Sequence, residues 1–164
     1  DTLLLEYKKG KQLCHHLKKK DFSERQIISI IKQVLLAIRM AQEQRNFVHY
    51  DLHSSNIIME KTLPNMISLY VLKDEVFCVP TYSYKPIMID YGYSYTKDSI
   101  GKPVYSTLAH TDVGFFTNLY DKIADPKLFL LSILLTSISW LLSLLPCKVE
   151  IFPSIILMLI LLSS

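Results

Sequence analysis

Segments of regular apolar spacing alternate along the chain with polar loops, and the pattern predicts a mixed fold of helices and short strands. Leu3-Leu4-Leu5-Glu6-Tyr7 reads as a short buried strand, broken by Gly10, and Leu13 to Lys20 as a short helix. Ser23-Glu24-Arg25-Gln26 is a capping box, a hydroxyl at the cap with an amide side chain at the third helical position. Behind it Ile27, Ile31, Val34, Ile38 and Ala41 recur at spacings of three and four, which places them on one face of a helix that Asn46 ends. Phe47-Val48 then leads into a polar loop over 49–56, and Ile57-Ile58-Met59 leaves it as a strand.

Ile67 to Leu72 and Val76 to Val79 flank Lys73-Asp74-Glu75 and read as a β-hairpin. Pro80 and Pro86 bracket an irregular aromatic link, Tyr82-Ser83-Tyr84. Ile87-Met88-Ile89 is a buried strand ending at Asp90-Tyr91-Gly92. Residues 93–124 lack periodicity, and Gly101, Pro103 and Gly114 suggest a long structured loop with short helical turns. Asp125-Pro126 has the chemistry of a helix start, with proline in the first turn and an acid at the positive end of the dipole. From Leu128 to Cys147 no charge appears, a length that suits a membrane span. Ser132, Thr136, Ser137, Ser139 and Ser143 lie inside it, and we read it as a core helix in preference to a span. Residues 151–162 are almost wholly aliphatic: a core remnant, an anchor, or sequence beyond a damaged gene end.

Composition narrows the class. The chain has 164 residues, half of them hydrophobic, enough for one domain with a core and incompatible with general disorder. The net charge of +3 is small, and the lysine groups Lys8, Lys9, Lys11 and Lys18, Lys19, Lys20 read as solvated surface, so no nucleic-acid partner is expected. Cys14, Cys78 and Cys147 are too scattered for a disulfide framework, which suits a reducing, cytoplasmic compartment. Cys14-His15-His16 lacks a second cluster to complete a metal site. The chain opens at Asp1 with no initiator Met, which suggests a fragment.

The candidate chemistry lies in two places. Residues 49–56 give H-x-D-x-x-x-x-N, and residues 90–92 give D-x-G at the end of the next buried strand. Phosphoryl transfer needs positioning and charge neutralisation more than covalent help. Asp51 suits the task of orienting an acceptor hydroxyl and taking its proton. Asn56 and Asp90 suit oxygen ligation of Mg²⁺, which favours one or two carboxylates completed by phosphate and water. Gly92 lets the chain turn sharply after the metal ligand. Taken alone, Asp51 and Asn56 are equally good turn formers. His49 reads as a packing residue. His53 either contacts phosphate or the acceptor, or caps the loop.

In this order these residues resemble the C-terminal lobe of the protein-kinase superfamily over roughly residues 2–140. The wording Phe47-Val48-His49-Tyr50-Asp51-Leu52-His53, Pro80-Thr81-Tyr82 and Ile89-Asp90-Tyr91-Gly92-Tyr93-Ser94-Tyr95 is similar to kinase-like proteins of large DNA viruses. The resemblance implies an α+β, mainly helical lobe with a small β-hairpin region beside the active-site cleft. The partial domain would span 1–146, with no N-terminal lobe and an apolar tail over 147–164. It implies ATP and Mg²⁺ as cofactors and a protein Ser/Thr hydroxyl as acceptor. Asp51 and His53 would be catalytic, and Asn56 and Asp90 would hold metal and nucleotide. Leu5 would be the gatekeeper of a hinge whose Glu6 and Lys8 backbone meets adenine, with Gln12 near the ribose. Asp125 resembles the acid that opens the family's central helix and bonds the catalytic-loop backbone.

The departures are specific. Tyr50 stands where the family has Arg, His53 where it has Lys, and no Gly-rich phosphate loop or A-P-E segment occurs. Asp-Leu-His-x-x-Asn also resembles aminoglycoside and choline kinases, and a pseudokinase or binding scaffold stays open. The isolated chain is expected to turn over little.

Overall fold

The computed structural model describes residues 4–107 and 117–143, and side chains to residue 138. In chain order its elements are β1 (Lys11–Gln12), α1 (Leu13–Lys19), α2 (Glu24–Arg45), a single 3-10 turn (Ser54–Asn56), β2 (Ile57–Lys61), β3 (Ile67–Leu72), β4 (Glu75–Pro80), β5 (Tyr84–Met88), β6 (Tyr95–Lys97), β7 (Pro103–Tyr105) and α3 (Ala124–Ser143). The strands form three antiparallel sheets, in the orders β1-β2-β5, β3-β4 and β6-β7.

α2 begins where the capping box places it. The Ser23 backbone N–H donates to Gln26 Oε1 at 2.9 Å and the Gln26 N–H donates to Ser23 Oγ at 3.4 Å. It ends at Asn46, which takes a left-handed φ of 49° that asparagine tolerates, and the Asn46 N–H donates to Gln42 O at 2.9 Å. The buried stripe is rotated from the expected one. Ile30, Val34 and Ile38 are the most deeply buried, while Ile27 and Ile31 are partly buried at its margin. Polar side chains cause the difference. α2 is covered by the strands as well as by the core, and Ser29 and Gln33 lie buried on the strand side. Gln33 Nε2 donates to Ser29 Oγ at 3.1 Å and to Tyr84 O at 3.2 Å, and its Oε1 accepts from Ser68 Oγ at 3.3 Å. A satisfied amide can sit where only apolar residues were expected.

Leu13, Leu17, Phe22, Leu52, Ile57, Met59 and Phe129 complete the main core around α2. A second small cluster of Val48, Tyr50, Tyr95 and Ala124 sits beneath the polar loop. The β3–β4 hairpin forms as expected, with a tighter turn: Leu72 pairs with Glu75, and Lys73 at φ 51° and Asp74 make the corner.

Four expectations are corrected. Residues 4–9 form no strand and pair with none; Leu4, Leu5 and Tyr7 are 90%, 79% and 86% exposed. The aromatic link after Pro80 is shorter than expected, since Tyr84 already pairs with Lys61. Pro86 lies within β5, an edge strand where its missing N–H costs no ladder bond. Part of 93–124 is a hairpin, β6–β7. Asp98 Oδ1 closes its turn by accepting from Ile100 N at 3.0 Å and Lys102 N at 2.8 Å, with Gly101 at φ 83°. Finally, α3 is apolar all round yet buries one side. Ala124, Asp125 and Phe129 face inward, while Leu130, Leu131 and Leu134 are 43%, 37% and 45% exposed. No helix among the described residues is long and apolar enough to cross a membrane. The segments 108–116 and 144–164, with Cys147 and the aliphatic tail, lie outside the described residues.

Candidate active site

The polar loop is held from beneath by Asp125, in the first turn of α3. Its carboxylate is fully buried and accepts the backbone N–H of His49 at 2.7 Å (Oδ2) and of Tyr50 at 2.9 Å (Oδ1). Burial pushes this carboxyl above its ordinary value, and the two N–H bonds pull it part of the way back. Tyr50 takes φ 63°, an uncommon conformation for a bulky residue. Two anchors hold it there: the Asp125 bond, and its own buried hydroxyl, which donates to Leu119 O. Burial raises the Tyr50 hydroxyl above the ordinary tyrosine value, so it stays a donor.

The His49 ring is buried between the loop and the D-x-G turn. Its Nε2 lies 2.9 Å from Ile89 O, and its ring meets Tyr91 at 5.1 Å between centroids. A nitrogen committed to a backbone carbonyl suits the packing role expected of it. The approach to the loop is also bound to the segment after Asp90, because Val48 and Tyr95 exchange two backbone hydrogen bonds of 2.8 Å.

Asp51 and Asn56 meet directly. The Asn56 Nδ2 donates to both the backbone O and the Oδ2 of Asp51, each at 2.9 Å. The amide nitrogen is therefore spent on orienting Asp51, and the amide oxygen is the atom suited to a cation. His53 caps the 3-10 turn, its Nδ1 accepting from Ser55 N at 3.2 Å, while its Nε2 lies 3.5 Å from Asp51 Oδ1. Of the two roles open for His53, the structure shows the cap.

β2 and β5 bring the backbone of the second acid close to the loop. Ile57 pairs with Met88, and the next bond in the ladder runs from Ile89 N to Asn56 O at 3.0 Å. Asp90 follows immediately, with φ 63°. The sharp turn expected of Gly92 is therefore made by Asp90 itself. Gly92 lies outside the left-handed region, and a methyl group there would make ordinary contact with Asp90 Oδ1 at 3.5 Å.

Of the residues expected at a hinge, Gln12 alone lies in the same sheet, on its far edge. Gln12 lies in β1 opposite Ile58, and its Oε1 accepts from Cys14 Sγ at 3.7 Å. Glu6 and Lys8 pair with each other at 2.6 Å on an exposed segment, and Leu5 is exposed beside them. Gly10 pins this segment to β2, since a Cβ there would stand 2.4 Å from Met59 O and 2.7 Å from Ile58 Cγ2. Among the described residues no three or more His, Cys, Asp or Glu gather into a ready-made metal site. Any cation here depends on ligand and water oxygens besides Asn56 and Asp90, as Mg²⁺ sites commonly do.

Sequence reasoning missed the underside of the loop. Ser54 N donates to Ser132 Oγ on α3 at 3.0 Å, and Ser54 Oγ lies 3.5 Å from Thr136 Oγ1. The signal was present as two hydroxyls four positions apart in α3, Ser132 and Thr136.

No family model matches the sequence. The chain is similar to proteins of two invertebrate viruses. Uncharacterized protein 098R of Invertebrate iridescent virus 6 is 38% identical over 107 residues, covering 63% of this chain and 18% of that protein. Uncharacterized protein 038R of Invertebrate iridescent virus 3 is 29% identical over 107 residues, covering 63% and 20%. Probable kinase 098L of the same virus is 36% identical over 94 residues, covering 57% and 17%. The chain thus spans about a fifth of the length of these relatives. They are viral, as the wording of the loop and turn led us to expect, and one carries a kinase name.

Proposed function

We propose that this chain supplies the catalytic loop and metal-binding strand of a protein-kinase-type phosphotransferase that moves the γ-phosphoryl group of ATP to a hydroxyl, with a protein Ser/Thr as the acceptor. The observation that supports the reading is the Asn56 amide held on Asp51 at 2.9 Å, with Ile89, the residue before Asp90, bonded through its N–H to the Asn56 carbonyl. The donors are all oxygen, which fits a hard cation carrying phosphate.

In this reading Asp51 accepts a hydrogen bond from the acceptor hydroxyl and takes its proton as the new O–P bond forms and the bond to the ADP oxygen breaks. Asn56 fixes the Asp51 carboxylate, and its amide oxygen, together with the Asp90 carboxylate, would hold the cation. A bound Mg²⁺ would neutralise the charge on the phosphates. Asp125 supports the loop from below. By the resemblance to the kinase hinge, Leu5, Glu6, Lys8 and Gln12 would meet the nucleotide base and ribose. The similarity to a protein named as a probable kinase supports the same class.

The test is phosphate transfer by the full-length protein that carries this chain. Radiolabelled ATP should label a generic protein acceptor, and Asp51→Asn should abolish labelling while leaving ATP binding in place. Binding without transfer in the wild type would favour a nucleotide-binding scaffold. Transfer to a small hydroxylated molecule in place of protein would move the acceptor class.

A further inference from the structure

The hydroxyls of α3 are placed where an aliphatic helix has no need of them. Ser132 Oγ donates to Phe129 O at 2.8 Å and Thr136 Oγ1 donates to Ser132 O at 2.7 Å. Each hydroxyl hydrogen is thereby parked on the helix's own backbone, a common arrangement for Ser and Thr within helices. What each oxygen then presents outward is a lone pair. Ser132 Oγ accepts the backbone N–H of Ser54 at 3.0 Å, and Thr136 Oγ1 lies 3.5 Å from Ser54 Oγ. Ser54 is buried and opens the 3-10 turn between Asp51 and Asn56. The first N–H groups of a helical turn have no partner within it and need one from outside.

We infer that Ser132 is a positioning residue for phosphoryl transfer. It fixes the Ser54–Asn56 turn, and through Asn56 Nδ2 the orientation of the Asp51 carboxylate; this rests on the phosphotransferase reading. Asp125 secures the loop before Asp51, at His49 and Tyr50, and Ser132 secures it after, so one helix clamps both flanks of the base. A clamp that acts through Asn56 bears most on the chemical step; Asp90 and the phosphates would still hold the cation, so nucleotide affinity falls less than kcat.

The experiment is a double-mutant cycle in the full-length protein. Ser132→Ala should lower kcat about tenfold with a smaller rise in KM for ATP, and should speed amide exchange at Ser54 at least tenfold. Ser132→Thr, which keeps the hydroxyl, should restore both. Ser54→Pro removes the donor at a first-turn position suited to proline, and His53 at φ −129° and ψ 170° already has the backbone that precedes proline. In the Ser54→Pro background the cost of Ser132→Ala should fall below twofold. An alanine variant with unchanged Ser54 exchange, or a full cost persisting in the Ser54→Pro background, overturns the inference. A wild type that transfers no phosphate overturns the phosphotransferase reading and the catalytic role drawn from it, whereas the exchange rate judges the clamp separately.

Discussion

Asp125→Asn changes one oxygen to an NH₂ group in a fully buried site and alters little of its shape. The native carboxylate accepts two backbone N–H groups at 2.7 and 2.9 Å. The amide oxygen can keep one of them, while its NH₂ must face the other donor to donor. The loss is one charge-assisted hydrogen bond plus one buried unsatisfied N–H, together about 3–5 kcal/mol. Burial, which pushes the Asp125 carboxyl up, makes the native charge costly, and its removal returns part of that. A net loss of about 3 kcal/mol remains, equivalent to a fall in Tm of roughly 6–12 °C for a domain of this size. Tyr50, held at φ 63°, should be released at the same time. The assay is thermal and urea unfolding with amide exchange at His49 and Tyr50. A Tm within about 2 °C of wild type, with both amides still protected, would refute the view that Asp125 supports the loop.

Three further outcomes follow from the same geometry. Gly10→Ala should destabilise by about 1–3 kcal/mol in urea unfolding, because its Cβ would meet Met59 O at 2.4 Å, whereas Gly92→Ala should cost under about 1 kcal/mol. Asn56→Ala should reduce phosphate transfer more steeply than it reduces stability, read as kcat against Tm, because it frees the Asp51 carboxylate at a partly exposed site. His16 stacks on Phe22 at 4.5 Å, and burial lowers its pKa from the ordinary 6.5, more than nearby Asp21 raises it. The unfolded chain then takes up a proton near pH 6.5 that the folded chain refuses. Stability is full above that pH and declines as pH falls through it, and His16→Phe should flatten this part of a Tm-against-pH curve.

The sequence was most legible where local chemistry decides structure. The capping box at Ser23, the stop at Asn46 and the two runs of the β3–β4 hairpin depend on neighbours within a few residues, and they stand as read. Asp51 and Asn56 were readable as members of one polar loop, but the hydrogen bond between them was not read from the sequence. What could not be read depends on partners far along the chain. Gln33 is buried because Ser68 and Tyr84 satisfy it, and Ser132 matters because Ser54 comes to it. The left-handed backbones of Tyr50 and Asp90 have no sequence signal, since nothing in tyrosine or in an Asp-x-Gly turn dictates which residue bends. Leu3 to Tyr7 has the composition of a strand, but composition supplies no edge to pair with.

The account rests on Asn56 and Asp90 sharing one divalent cation with the phosphates of a nucleotide beside Asp51. Calorimetric titration of ATP into the full-length protein, with Mg²⁺ and with a chelator, measures this directly. The account predicts that Mg²⁺ tightens ATP binding at least tenfold, and that Asp90→Asn and Asn56→Ala each remove most of that gain. Equal affinity with and without Mg²⁺, or a gain that survives both substitutions, would contradict it.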